Sequence, residues 1–168
     1  HDLMNLLRTV NSLSELQDLP QNPRTLLQTP RQISKRIVTP GEYSHFGLEN
    51  GLKHFLLSHT QDYLTIKIAI NIDGLPISKS SSKYVWPILG SPVGTNYVFI
   101  IGLYTGDKKP DCSNDFLEDF INDTKNHYEN GFKFNDKLYK IEIIMLVCDS
   151  PAKSFILNTK GHSGYSSC

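Results

Sequence analysis

Tyr63-Leu-Thr-Ile-Lys-Ile-Ala-Ile-Asn-Ile72, followed at once by Asp73-Gly74, decides how this chain is read. Ile66, Ile68, Ile70 and Ile72 fall on every second residue. Extended backbone turns successive side chains to opposite faces, so the spacing predicts a strand with one wholly apolar face. Lys67 and Asn71 take the other face. The β-branched side chains suit extended backbone. Asp73-Gly74, with Pro76 close behind, stops the strand in a turn.

Downstream the period is kept and then broken. Ser78 to Lys83 reads as a polar turn, and Tyr84 to Gly90 as a second strand in which Pro87 predicts an edge position or a bulge. Tyr97 to Tyr104 is almost wholly apolar, which predicts a central third strand. Three strands joined by short turns form an antiparallel meander. Phe116, Leu117, Phe120, Ile121, Thr124 and Tyr128 then recur at helical spacing, with Asn114 as the expected cap and Gly131 as the stop. Phe132 to Lys137 is a hairpin-like approach to a fourth strand, Leu138 to Val147. Pro151 opens a last helix to Leu157. The order is β-β-β-α-β-α, an α/β fold with a mixed sheet.

Upstream, Leu3, Leu6, Leu7 and Val10 form one apolar helical face, which assigns residues 1–19 to an N-terminal helical segment. Residues 20–60 read as a Pro-rich, locally basic connector with a short helix from Leu52 to Leu57. Residues 61–168 carry the α/β domain. The first residue is His1 and no leader pattern follows it, so the chain is expected to be an internal piece of a longer protein.

Composition narrows the function. At 168 residues the chain has room for one core. Seventeen Lys and Arg balance seventeen Asp and Glu, which excludes a polycation that binds by net charge. No run of apolar residues is long enough to span a membrane. Three cysteines, Cys112, Cys148 and Cys168, make no disulfide framework and point to a reducing compartment. There the sequon Asn122-Asp123-Thr124, inside a predicted helix, is a chance match.

Two acids stand at the ends of apolar strands, Asp73 after the first and Asp149 after the fourth. If the helix between strands three and four acts as a right-handed crossover, strand four returns parallel to strand one. Both carboxylates then leave the same end of the sheet. Carboxylates that close repel each other and call for a cation, and oxygen donors suit Mg²⁺. Two such ions would clamp the attacking and leaving oxygens of a phosphodiester. A plainer reading stands beside this one: Asp73-Gly74 as a turn, and Asp149-Ser150-Pro151 as a helix cap.

Several stretches resemble the transposase domain of CACTA-type (En/Spm-like) DNA transposons, in their invertebrate lineages. They are Ile72-Asp73-Gly74-Leu75-Pro76, Lys79-Ser80-Ser81-Ser82, Trp86-Pro87-Ile88-Leu89-Gly90 and Cys148-Asp149-Ser150-Pro151-Ala152. Pro23-Arg24-Thr25-Leu26-Leu27, Thr29-Pro30-Arg31, Phe46-Gly47-Leu48 and the tail from Lys160 to Cys168 fit the same pattern. The likeness runs from about residue 20 to the end; its specificity lies in the order and spacing of the motifs.

The resemblance implies an RNase H-like fold and a DDE/D set of acids, with Asp73 as the first and Asp149 as the second, both catalytic and both ligands of Mg²⁺ or Mn²⁺. The third acid of the family follows an insertion beyond Cys168, so the chain alone is expected to be inactive. Cys168 and His162 match the start of a zinc-binding insertion, and Zn²⁺ is expected only in the full-length protein. The implied substrate is DNA, first the transposon end and then the target, in a nuclear and homo-oligomeric protein without membrane contact. Arg24, Arg31, Lys35, Arg36, Lys79 and Lys83 are the candidate phosphate contacts. The alternative function is a domesticated, transposase-derived module that binds DNA or protein without catalysis.

Overall fold

A computed structural model describes residues 34–59, 64–77 and 83–159. The expectations for Arg24, Arg31, Lys79, His162, Cys168 and the N-terminal helix lie outside these residues. The strands are β1 (Arg36–Val38), β2 (Gly41–His45), β3 (Thr65–Ile72), β4 (Leu75–Pro76), β5 (Tyr84–Pro92), β6 (Phe99–Gly106), β7 (Phe132–Phe134) and β8 (Lys137–Val147). The helices are α1 (Leu48–Ser58), α2 (Ser113–Asn130) and α3 (Ser150–Ile156). Among the described residues none of these helices is long and apolar enough to cross a membrane.

The eight strands form one mixed sheet in the order β1-β2-β6-β5-β3-β8-β7, with β4 paired to β5. β3, β5 and β6 are the antiparallel meander, and β8 returns through α2 to pair with β3 in parallel. The period-two reading of β3 holds: Ile66, Ile68, Ile70 and Ile72 are buried while Lys67 is exposed. Each fully buried side chain of this kind contributes roughly 1.5–3 kcal/mol. Leu48, Leu52 and Phe55 of α1, Phe116 and Phe120 of α2, and Ala152 of α3 join the isoleucines in one core.

Three local expectations are corrected. The described part of the 20–60 connector is not an extended link, because β1 and β2 form a hairpin whose second strand pairs with β6. Pro87 is not at an edge, since β5 lies between β3 and β6. Pro87 pairs with Leu103 of β6, one residue before the register shift between Ile88 and Leu89, and on its other side it faces the break between β3 and β4, beyond the pair of Ile72 with Ile88. The cap of α2 is Cys112 rather than Asn114, and its buried face carries Phe116, Phe120 and His127, which leaves Tyr128 exposed. Gly131 ends that helix as expected, at φ 72°, where a side chain would be strained.

Candidate active site

The pairing of β3 with β8 sets the geometry of the two acids. Thr65 to Ile68 pair in sequence with Lys140 to Ile143, a bulge follows, and Ala69 to Asn71 pair with Met145 to Val147. Two residues beyond this last pair, past the ends of β3 and β8, stand Asp73 and Asp149. Neighbouring strands run about 4.8 Å apart. The amide of Asn71 donates to the Val147 carbonyl at 3.3 Å and ties the two strand ends together. The residues before the acids, Ile72 and Cys148, both pack on the core.

Each carboxylate is half committed to its own loop. Asp73 Oδ1 accepts the Gly74 N–H at 2.7 Å. Asp149 Oδ1 accepts the Ala152 N–H at 2.7 Å and caps α3, with Pro151 in its first turn. The cap is therefore real, but the expected turn at Asp73-Gly74 is corrected: the chain runs straight on along β5, with Ile72 opposite Ile88 and Leu75 opposite Val85 in one register. An ionised carboxylate accepts in about four directions, so one local bond does not exhaust it. Asp73 is half-buried and Asp149 exposed. Two hard oxygen donors fit Mg²⁺ or Mn²⁺. Among the described residues, His, Cys, Asp and Glu side chains gather into no metal-binding group of three or more. The pair alone thus offers two protein ligands, with water and phosphate oxygens to complete a shell, which is the usual manner for Mg²⁺.

A third strand end meets these two. β6 and β3 are both antiparallel to β5 and so run the same way. Asp107, Lys108 and Lys109 consequently follow β6 at the end of the sheet that carries Asp73 and Asp149. A cavity of ≈ 460 Å³ there is lined by Gly74, Tyr84, Trp86, Asp107, Lys108 and Lys109. A second, of ≈ 690 Å³, opens between the starts of α2 and α3, with Ser113, Asn114, Ser150, Ser154 and Lys109 among its walls. The sequence analysis did not single out residues 107–109. The signal was available, because strands one and three of a meander end on the same side.

The remaining candidate cations serve the fold. Arg36 Nε donates to Asp119 Oδ2 at 3.0 Å and Nη2 to the Asp115 carbonyl at 2.8 Å, and its guanidinium lies 5.4 Å from the Tyr43 ring centre. It binds the β1–β2 hairpin to α2. Lys35 pairs with Glu42 at 2.7 Å on the surface. Lys83 is exposed beside β5, and its carbonyl accepts the Ile77 N–H at 3.0 Å. Trp86 is a core residue, 7% exposed, as expected.

A buried polar chain links α2 to β2 and α1. Asp123 Oδ2 accepts the Leu48 N–H at 2.7 Å and lies 3.3 Å from His45 Nε2, while His127 Nδ1 stands 3.0 Å from Oδ1. Tyr43 Oη meets His45 Nδ1 at 3.0 Å. Burial raises the Asp123 pKa, but hydrogen bonds from His127, His45 and the Leu48 N–H outweigh it and hold the carboxyl well below its ordinary range. The hydrogen bond to Asp123 raises His127, against the lowering effect of burial. Burial pushes the Tyr43 hydroxyl well above its usual value, helped by the charge of Asp119.

Comparison of the chain with protein-family models, with curated proteins and with solved structures finds no match.

Proposed function

We propose that this chain is part of the catalytic domain of a CACTA-like DDE/D transposase, with Asp73 and Asp149 as its first two acids. The observation that carries the reading is the parallel pairing of β3 and β8, whose last pair, Asn71 with Val147, stands two residues before each acid. An RNase H-like core is the reading of the fold that agrees with the meander, the crossover through α2 and the parallel return beside β3. The hairpin β1–β2 and helix α1 are additions to that core.

In this reading Asp73 and Asp149 hold Mg²⁺ through the carboxylate oxygens their loops leave over. The bound ions supply Lewis-acid stabilisation of the attacking and leaving oxygens of a phosphodiester. The chain's own part is to fix the two carboxylates. The Gly74 N–H holds Asp73, and the first turn of α3 holds Asp149. Two acids do not complete a DDE/D set, so the chain binds the metal without cleaving DNA. Nuclear DNA is the substrate in the full-length protein.

A second reading is a transposase-derived binding module without chemistry. Its support is that both acids already accept a backbone N–H, Asp73 from Gly74 and Asp149 from Ala152 as a helix cap. Titration of Mn²⁺, followed by the resonance of the free ion, separates the two. The catalytic reading expects one strong site that Asp73→Asn and Asp149→Asn each abolish. Unchanged Mn²⁺ binding in both variants, or no binding in the wild type, leaves the binding module. Divalent-dependent nicking of plasmid DNA by the purified chain would contradict the need for a third acid.

A further inference from the structure

Lys109 is the residue that the two cavities at the acidic end of the sheet have in common. One cavity reaches Gly74, next to Asp73, and the other reaches Ser150, next to Asp149. The side chain is exposed, and its ammonium lies over the Phe155 ring, 5.2 Å from the centre. Phe155 in turn packs edge-on against Trp86 at 5.2 Å. A cation held by a ring keeps its N–H donors for another acceptor.

The loop that carries Lys109 is anchored on both sides. Tyr104 Oη donates to the Lys108 carbonyl at 2.9 Å, and the Asp111 N–H donates to the Thr39 carbonyl at 2.8 Å. Pro110 between them is buried. Asp107 and Asp111 sit on the same loop and offset the charges of Lys108 and Lys109, so an anion would be held there by direct contact with the Lys109 ammonium and not by a net positive field.

Resting on the reading of Asp73 and Asp149 given above, we propose that Lys109 binds a phosphate of the DNA strand. Its ammonium, fixed over Phe155 between the two cavities, contacts a phosphodiester as the strand passes the acidic end of the sheet. The contact sets where that strand lies relative to the two carboxylates. It is a positioning contact without sequence information.

The test is fluorescence anisotropy of a labelled DNA duplex with the full chain, in Ca²⁺, across a salt series. Lys109→Ala is expected to lower the slope of log affinity against log salt by about 0.9, the value for one lost phosphate contact. With affinity at 1 M salt unchanged, that slope corresponds to roughly an eightfold loss at 0.1 M salt. Lys109→Arg is expected to restore the slope. Lys140→Ala, on an exposed lysine beside Thr65 at the opposite end of β3, is expected to leave it unchanged. Circular dichroism of each variant verifies the fold. Wild-type affinity and slope in Lys109→Ala overturn the proposal, as does an equal loss in Lys140→Ala or the absence of DNA binding in the wild type. Mn²⁺ binding at the two acids with no effect of Lys109 overturns this proposal alone. A Lys109 effect without Mn²⁺ binding removes the catalytic reading and keeps the phosphate contact.

Discussion

Asp73 and Asp149 each stand two residues beyond Asn71 and Val147, the last residues that pair between β3 and β8. Seventy-five residues of chain separate them in sequence, yet parallel pairing brings the ends of β3 and β8 that precede them together. The two acids differ in what else they do. Asp149 caps a helix, whereas Asp73 accepts only the N–H of Gly74, in a stretch that runs on along β5.

That difference makes Asp149 separable into two roles. Asp149→Ala removes the acceptor for the Ala152 N–H and is expected to cost about 1 kcal/mol of stability. Asp149→Asn keeps an equally good capping oxygen and is expected to stay within a few tenths of wild type. Both are expected to lose the Mn²⁺ site. Urea denaturation beside metal titration checks the split; retention of Mn²⁺ by the Asn variant contradicts a role in metal binding.

The chain of Asp123, His127, His45 and Tyr43 predicts a bell-shaped dependence of stability on pH. His127 has a raised pKa, so its contribution is complete below the ordinary histidine value and fades as pH rises through the folded value. Asp123 has a lowered pKa, so its contribution is complete above the ordinary carboxylate value and fades as pH falls through the folded value. Both are present between about pH 4 and 6.5. Chemical denaturation across pH 3 to 9 is expected to give its highest midpoint there. Asp123→Asn is expected to cost on the order of 2 kcal/mol and to flatten both limbs; an unaltered profile in that variant contradicts the assignment.

Gly74 has no room for a side chain. A Cβ there would stand 2.6 Å from two carbons of the Trp86 ring. Trp86 is confined by Phe155 and Phe116 and yields poorly. Gly74→Ala is expected to cost about 1–3 kcal/mol as overpacking, and to weaken the Mn²⁺ site by moving the backbone that carries Asp73. Trp86 is the single tryptophan, so its emission reports the displacement directly. Wild-type emission and stability in the variant contradict the close packing of this stretch.

Much of this fold is legible in the amino-acid order. The isoleucine alternation of β3, the apolar run of β6, the Gly131 stop and the Pro151 start each express a local rule that tertiary packing does not override. The hairpin β1–β2 is not legible in the same way. Its strands have three and five residues, too few to show a period, and only Val38 and Tyr43 are buried. The buried face of α2 is also misread, because His127 is turned inward by its bond to Asp123 while Tyr128, more apolar by type, faces solvent. At the site, Asp73 and Asp149 announce themselves as acids that end apolar strands. Lys109 does not, since its place depends on the direction of β6 and on a ring in α3, 46 residues further along.

The central claim is that Asp73 and Asp149 share a divalent cation, and crystals of the chain grown in Mn²⁺ test it most directly. Anomalous scattering is expected to show an ion between the two strand ends, with an oxygen of each carboxylate within about 2.2 Å. An ordered Asp73 and Asp149 with no ion between them at millimolar Mn²⁺, or an ion held elsewhere, contradicts the claim and leaves Asp149 as a helix cap and Asp73 as an acceptor for the Gly74 N–H.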